Sequence, residues 1–180
     1  MLAAKSSKRL DIAQRIMKEL KTPEVFNTVK YKEISEDKIK LAQYPHLLNE
    51  VTLMYEQIKG IIPKHAKERA RKALLWEGNK NTTINNVLFF GTYHRPDLVL
   101  EFDDSLRIAI EIKRGESGEA IRDGIGQAIT YTACGAFEFT VILFVDTSKE
   151  GKILNSITSE REAAFIEKLW NDNNVLFDVI

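Results

Sequence analysis

The spacing of apolar residues predicts a helical N-terminal region followed by an alternation of helices and strands. Residues 10–20 carry apolar side chains at helical spacing, and residues 44–63 predict a second helix. The stretch 25–42 between them fits either a strand or a helix start. We therefore expect residues 1–63 to form a mostly helical N-terminal region.

From residue 64 onward, helical periodicity alternates with apolar runs of strand length. A helix at 64–78, ended by Gly78, precedes three strands, and the order thereafter is helix, strand, helix, strand. The expected strands are residues 83–90, 97–102, 107–113, 137–146 and 175–180, and the expected later helices are residues 119–135 and 159–170. This αβββαβαβ order is typical of an α/β fold.

Composition excludes only a few classes of site and of partner. Lys plus Arg and Asp plus Glu both number 26, so overall charge does not favour nucleic acid or membrane, and binding to either would need local clustering. One cysteine, Cys134, excludes an internal disulfide and any four-cysteine metal site. The sequence has neither a signal-peptide pattern nor a long apolar stretch, and we expect a cytoplasmic protein without membrane association.

The strand at 107–113 carries charge on one face only. Because side chains alternate along a strand, Glu111 and Lys113 share the face opposite three isoleucines. If the strands at 97–102 and 107–113 pair through the turn at 103–105, Asp97 converges on Glu111. Two converging carboxylates favour a bound cation, and hard oxygen ligands without His or Cys favour Mg²⁺, for which Mn²⁺ can substitute. Lys113 then supplies a positive group suited to phosphodiester hydrolysis.

These residues resemble a known motif. Pro96-Asp97, followed after 13 residues by Glu111-Ile112-Lys113, is similar to the PD-(D/E)xK motif of restriction-endonuclease-like nucleases. Gln127 and Tyr131 are similar to the QxxxY motif of the RecB-like branch, which holds the active site and the DNA strand. The resemblance covers residues 64–146. It implies an αβββαβ core with a mixed central sheet flanked by helices, which makes residues 64–180 a nuclease core with a C-terminal αβ addition.

The resemblance also implies roles for individual residues. Asp97, Glu111 and the backbone carbonyl of Ile112 are expected to bind Mg²⁺, with a further acid from the helix at 64–78. For that acid we prefer Glu68, in a segment similar to the acid helix of archaeal Holliday-junction resolvases, and Glu77 is the alternative. Lys113 is expected to position the water that attacks the phosphodiester, and hydrolysis would leave a 5′-phosphate and a 3′-hydroxyl.

DNA is the expected partner, in single-stranded, free-ended or branched form. The basic strip 64–72 suits phosphates, and Lys64, Lys67, Arg71, Arg95 and Tyr131 are the expected contacts. A RecB-like exonuclease is preferred over a structure-selective or restriction endonuclease, which would act as a homodimer, and over a non-catalytic nucleic-acid-binding module. The region 1–63 would serve as a lid, a dimer surface or a DNA contact.

Overall fold

The computed structural model describes residues 7–27, 31–78 and 83–180. The helices are α1 (Ser7–Leu20), α2 (Pro23–Phe26), α3 (Glu36–Gln57), α4 (Pro63–Ala73), α5 (Gly118–Ala133), α6 (Lys152–Ser156) and α7 (Glu160–Asn173), with a 3-10 turn at Lys149–Gly151. The strands are β1 (Leu74–Trp76), β2 (Val87–Phe89), β3 (Thr92–His94), β4 (Leu98–Glu101), β5 (Arg107–Gly115), β6 (Phe139–Asp146) and β7 (Val175–Val179).

A mixed five-stranded sheet forms the centre of the molecule, in the order β1-β4-β5-β6-β7. β1, β4 and β5 run antiparallel, and β5, β6 and β7 run parallel. Every residue of β6 is buried, because the strand lies between two parallel neighbours and both of its faces are covered. The predicted α/β class and mixed central sheet flanked by helices are thus confirmed.

Helices cover the two faces of this sheet. Ile108, Ile110 and Ile112 of β5 share a hydrophobic core with apolar residues of α1, α3 and α4. Ala109 on the opposite face of β5 packs in a cluster with Tyr131 of α5. The helices of the N-terminal region therefore form a layer against the sheet, while the functional role expected for residues 1–63 stays a prediction.

Two predictions about the first strands were wrong. The helix expected at 64–78 ends at Ala73, and Leu74–Trp76 form the edge strand β1, which pairs with β4. A short apolar run fits a helix or a strand equally well by pattern, and pairing with the open edge of β4 decides for the strand. The strand expected at 83–90 lies outside the central sheet. Of its described residues, Val87–Phe89 pair with Thr92–His94 in a separate two-stranded hairpin.

The β2–β3 hairpin turns at Phe90 and Gly91, whose φ angles of 46° and 75° are those of a tight two-residue turn. Its outer face is apolar. Phe90 is 93% exposed, and Leu88 and Tyr93, which pair across the two strands, are 58% and 70% exposed. The hairpin ends three residues before Asp97, so it leads directly into the predicted motif.

Helix α3 begins eight residues earlier than predicted and passes through Pro45. An interior proline costs a helix about 3 kcal/mol, and burial of Ile39, Leu47 and Met54 against α4 and the sheet offsets this cost. Residues 36–42, which the sequence left undecided, are therefore helical.

Within the described ranges, no helix is both long enough and apolar enough to cross a membrane.

Candidate active site

Asp97 and Glu111 lie beside each other at the point where β4 meets β5. Leu98 pairs with Ile110, and the two acids come one residue before and one residue after this pair. Both are buried, with exposed fractions of 7% for Asp97 and 1% for Glu111. The predicted turn at 103–105 produces this pairing, closed by a bond from the Phe102 N–H to the Leu106 carbonyl at 2.9 Å.

Both carboxylate oxygens of Asp97 accept hydrogen bonds. The backbone N–H of Ile112 donates to Oδ2 at 2.8 Å, just beyond the point where β4 stops pairing with β5. Nζ of Lys40, on α3, donates to Oδ1 at 2.9 Å. Ile112 thus contributes its amide to the arrangement, and the metal contact expected from its carbonyl stays a prediction.

Glu111 also has two partners. Nζ of Lys113 lies 3.1 Å from Oε2, and the hydroxyl of Tyr131 donates to Oε1 at 2.9 Å. Burial and, after it, the charge of Asp97 raise the pKa of Glu111 to about 8, although Lys113 and Tyr131 act in the opposite direction. The site therefore favours any further positive charge beside this carboxyl group.

Lys113 and Tyr131 keep their protons in this environment. Burial alone would lower the pKa of Lys113, but the charges of Glu111 and Asp97 raise it above its ordinary value. Burial and the charge of Glu111 raise the pKa of Tyr131. At neutral pH, the site accordingly holds an ammonium and a phenol, both of which donate hydrogen bonds.

Helix α5 closes over β5 at Lys113 because Gly124 has no side chain. A Cβ at Gly124 would lie 3.0 Å from Cγ of Lys113. The close approach also brings Gln127, one turn before Tyr131, to the cleft that Lys113 lines. Thus the structure brings together Asp97, Glu111, Lys113 and Tyr131, with Gln127 at the entrance.

We expect Gly124→Ala to displace Lys113 by a few tenths of an ångström. If the protein cleaves DNA, as its motif predicts, the variant should do so about tenfold more slowly. Gly118→Ala is the matched control, because it lies on the same helix and its added Cβ would have no atom within 4 Å apart from its chain neighbours and the backbone of its own helix. Both changes gain helix propensity, up to about 1 kcal/mol. Urea unfolding and a cleavage assay measure the two effects, and equal cleavage by the two variants would contradict the role assigned to Gly124.

The cleft beside Lys113 is open and has a volume of about 600 Å³. Its lining includes Lys113, Arg114 and Arg122, with Asp123 as an opposing charge. A second cleft of about 640 Å³ lies against α3 and the end of β1, lined by residues that include Lys40 and Glu77. The first, basic cleft suits an anionic backbone such as a nucleic acid strand.

Helix α3 supplies a charged group that sequence reasoning missed. Lys40 contacts Asp97, Asp37 contacts Lys40 at 2.9 Å, and Oε1 of Glu36 accepts from the N–H of Arg114 at 3.0 Å. The sequence around 35–42 shows only a helix start, and nothing in it indicates that this end of the helix reaches the motif. The unusual burial of Lys40 is visible only in the folded structure, so the sequence offered no signal for its role.

The structure does not bring Glu68 to this group. Glu68 is exposed on α4, and its Oε1 accepts from Nζ of Lys72 at 2.8 Å. Glu77 is closer to the motif, since its N–H donates to the Asp97 carbonyl at 3.2 Å. Its charge is also the smallest contribution to the raised pKa of Tyr131, after burial, Glu111 and Asp97. Of the two acids considered, the geometry favours Glu77, although its carboxylate is paired with Arg95.

The basic residues expected to contact DNA lie on the surface. Lys64, Lys67 and Arg71 are exposed on α4, and Arg95 is exposed and paired with Glu77. Tyr131, in contrast, is fully buried, so its hydroxyl serves Glu111 and not an external strand. The DNA contact expected from Tyr131 is therefore inconsistent with its burial, whereas the four basic residues remain candidates.

The acid pair offers the type of ligand that Mg²⁺ prefers, but the number of carboxylates and the present contact with Lys40 are less favourable to an ion. Two facing, buried carboxylates, one with a raised pKa, are the hard oxygen ligands that Mg²⁺ prefers. However, no group of three or more His, Cys, Asp or Glu side chains among the described residues is arranged to hold a metal ion. An ion at this position would use Asp97 and Glu111 and would compete with Lys40 for Asp97.

Comparison of this chain with protein families, with curated proteins and with solved structures gave no match.

Proposed function

We propose that this protein is a Mg²⁺-dependent deoxyribonuclease of the PD-(D/E)xK type, most similar to the RecB-like exonucleases and end-processing enzymes. The observation that carries the proposal is that Asp97, Glu111 and Lys113 meet on adjacent strands while Tyr131 of the QxxxY pair bonds to Glu111. A chance occurrence of the motif in sequence would not require Tyr131, which lies on a separate helix, to reach Glu111. Apart from the β2–β3 hairpin, which comes between β1 and β4 in the chain and lies outside the central sheet, the order α4, β1, β4, β5, α5, β6 also agrees with the αβββαβ core implied by the resemblance.

Each of these residues has a distinct task in the proposed reaction. Asp97 and Glu111 would hold Mg²⁺, which when bound supplies a Lewis acid and lowers the pKa of a coordinated water. The N–H of Ile112 and the hydroxyl of Tyr131 fix the two carboxylates. The ammonium of Lys113 orients the attacking water and offsets negative charge that develops on the phosphoryl oxygens.

The cleft beside Lys113 would receive the scissile strand. Arg114 and Arg122 supply positive charge along it, and Gln127 offers an amide that can donate or accept a hydrogen bond. Hydrolysis by in-line attack would leave a 5′-phosphate and a 3′-hydroxyl, as the resemblance implies. Lys64, Lys67 and Arg71 would contact phosphates further along the DNA.

A cleavage assay on linear duplex, closed circular, single-stranded and branched DNA tests the proposal. We expect cleavage in Mg²⁺ or Mn²⁺ and none in EDTA, and Asp97→Asn to lower the rate by at least about 10²-fold. Asp104→Asn, which changes an exposed aspartate of the β4–β5 turn, is the matched control and should leave the rate unchanged. Products that arise from linear but not circular DNA would identify end-dependent action.

One observation favours a second candidate, a nucleic-acid-binding module without catalysis. Each acid of the pair already has a lysine partner, Lys40 for Asp97 and Lys113 for Glu111, so each carboxylate has a cationic neighbour without an ion. The same assay separates the two functions, because a binding module would retain DNA in a filter-binding experiment but would release no product in Mg²⁺ or Mn²⁺.

A further inference from the structure

The ammonium group of Lys40 occupies a position between two carboxylates. Nζ lies 2.9 Å from Oδ1 of Asp97 and 2.9 Å from Oδ1 of Asp37. Lys40 is only 5% exposed, although lysine is among the residues least often buried. Burying an ammonium is unfavourable unless anions compensate it, so its placement depends on these two carboxylates.

The two carboxylates differ in how firmly they are held. Asp97 is buried and fixed by the N–H of Ile112, whereas the side chain of Asp37 is 85% exposed. Lys40 and Asp37 also line the cleft of about 640 Å³ beside α3. Lys40 therefore has open space to move into, and Asp37 is able to follow it and remain its partner.

We propose that Lys40 is a built-in counter-ion of Asp97 that a divalent cation displaces on binding, so that this exchange sets the metal affinity of the site. This exchange rests on the proposed function, because it requires an ion at Asp97. It would control how tightly that ion binds. A divalent ion and an ammonium on the same carboxylate oxygen repel each other strongly in a buried environment. Release of Lys40 toward Asp37 and the cleft removes this repulsion.

The first test measures Mn²⁺ binding to Lys40→Gln, in which a neutral amide replaces the ammonium group. We expect its Mn²⁺ dissociation constant, measured by electron paramagnetic resonance of the unbound ion, to fall at least about tenfold below that of the unaltered protein. Lys21→Gln is the matched control. Lys21 is a half-buried lysine whose Nζ lies 2.7 Å from Oδ2 of Asp178 on β7, away from the acid pair. This control should bind Mn²⁺ with unchanged affinity.

The second test uses the unaltered protein and so does not depend on how a variant folds. Acetylation of lysines with an N-hydroxysuccinimide ester, followed by peptide mass spectrometry, reports how accessible each amine is. We expect Lys40 to be protected without metal and to be modified at least about threefold faster in saturating Mn²⁺, because it leaves its buried ion pair with Asp97 for the cleft. Lys168, exposed on α7, is the internal reference and should react at the same rate with and without Mn²⁺.

The outcomes separate the two proposals. If Mn²⁺ binds in a manner that Asp97→Asn abolishes, but Lys40→Gln binds it no more tightly and Lys40 labelling does not change, the displacement is refuted while the metal site stands. If neither the unaltered protein nor Lys40→Gln binds Mn²⁺, both the displacement and the proposed nuclease site are refuted. Tighter binding with increased labelling supports both.

Discussion

Replacing Lys113 by alanine is expected to lower the rate of DNA cleavage about 10³-fold while leaving Mn²⁺ binding intact or slightly stronger. The ammonium of Lys113 lies 3.1 Å from Oε2 of Glu111 and faces the basic cleft. It would therefore act on the water and on the phosphoryl oxygens without holding the ion. Removing a positive charge beside Glu111 also leaves more negative charge for the ion to neutralise.

The measurement pairs cleavage rates with Mn²⁺ affinity for each variant. Lys168→Ala is the matched control, because Lys168 is an exposed lysine on α7, outside the basic strip 64–72. It should retain both cleavage and Mn²⁺ binding. Cleavage by Lys113→Ala at the unaltered rate would exclude the mechanism, and parallel loss of cleavage and Mn²⁺ affinity would mean that Lys113 supports the metal site instead of the reaction.

The second large effect concerns stability and pH in the absence of divalent metal. We expect the free energy of unfolding to lose a contribution of a few kcal/mol as pH rises from about 4.5 to about 8. Burial, together with the charge of Asp97, raises the pKa of Glu111 to about 8 in the folded protein. Between these pH values the folded state binds the Glu111 proton more tightly than the unfolded state does, so stability falls as the proton is removed.

Glu111→Gln tests directly whether stability falls as pH rises because Glu111 loses its proton. Glutamine is neutral at every pH and its amide oxygen still accepts from the hydroxyl of Tyr131, so the variant should lack this part of the pH dependence. Urea unfolding in EDTA at several pH values between 4 and 9 measures the difference between the two proteins. We expect this difference to shift steadily in favour of the variant up to about pH 8 and to become constant above it.

Glu101→Gln controls for the general effect of losing a carboxylate. Glu101 is exposed on β4, and its Oε2 lies 3.7 Å from Nε of Arg107. Its stability relative to the unaltered protein should show no comparable trend over the same pH range. The stability difference between Glu111→Gln and the unaltered protein is expected to change with pH. If it stays constant between pH 4 and 9, or moves in favour of the unaltered protein as pH rises, the raised pKa of Glu111 is contradicted.

The elements that carry the motif could be predicted from local sequence. Alternation along β5 places Glu111 and Lys113 on one face, and the turn at 103–105 brings Asp97 beside them, because a hairpin of this length has one pairing that buries its apolar residues. The four-residue spacing of Gln127 and Tyr131 places both on the side of α5 that approaches β5. These relations depend on neighbours in sequence.

The first strand of the sheet could not be predicted in the same way. Leu74, Leu75 and Trp76 continue the apolar pattern of α4, and the run 83–90 has better strand character than they do. The edge of β4 is available to either segment. The tight turn at Phe90 and Gly91 pairs Val87–Phe89 with Thr92–His94, and the edge is left to Leu74–Trp76.

The sequence by itself determined the α/β class, the pairing of Asp97 with Glu111 and the place of Lys113, because each follows from strand alternation or from a short turn. Only the tertiary structure decided which other charges surround them. Lys40 is 57 residues from Asp97, and Glu68 is on the exposed side of α4. How helices pack on a sheet depends on the whole core, and a lysine or glutamate on a helix carries no local sign of the group it will meet.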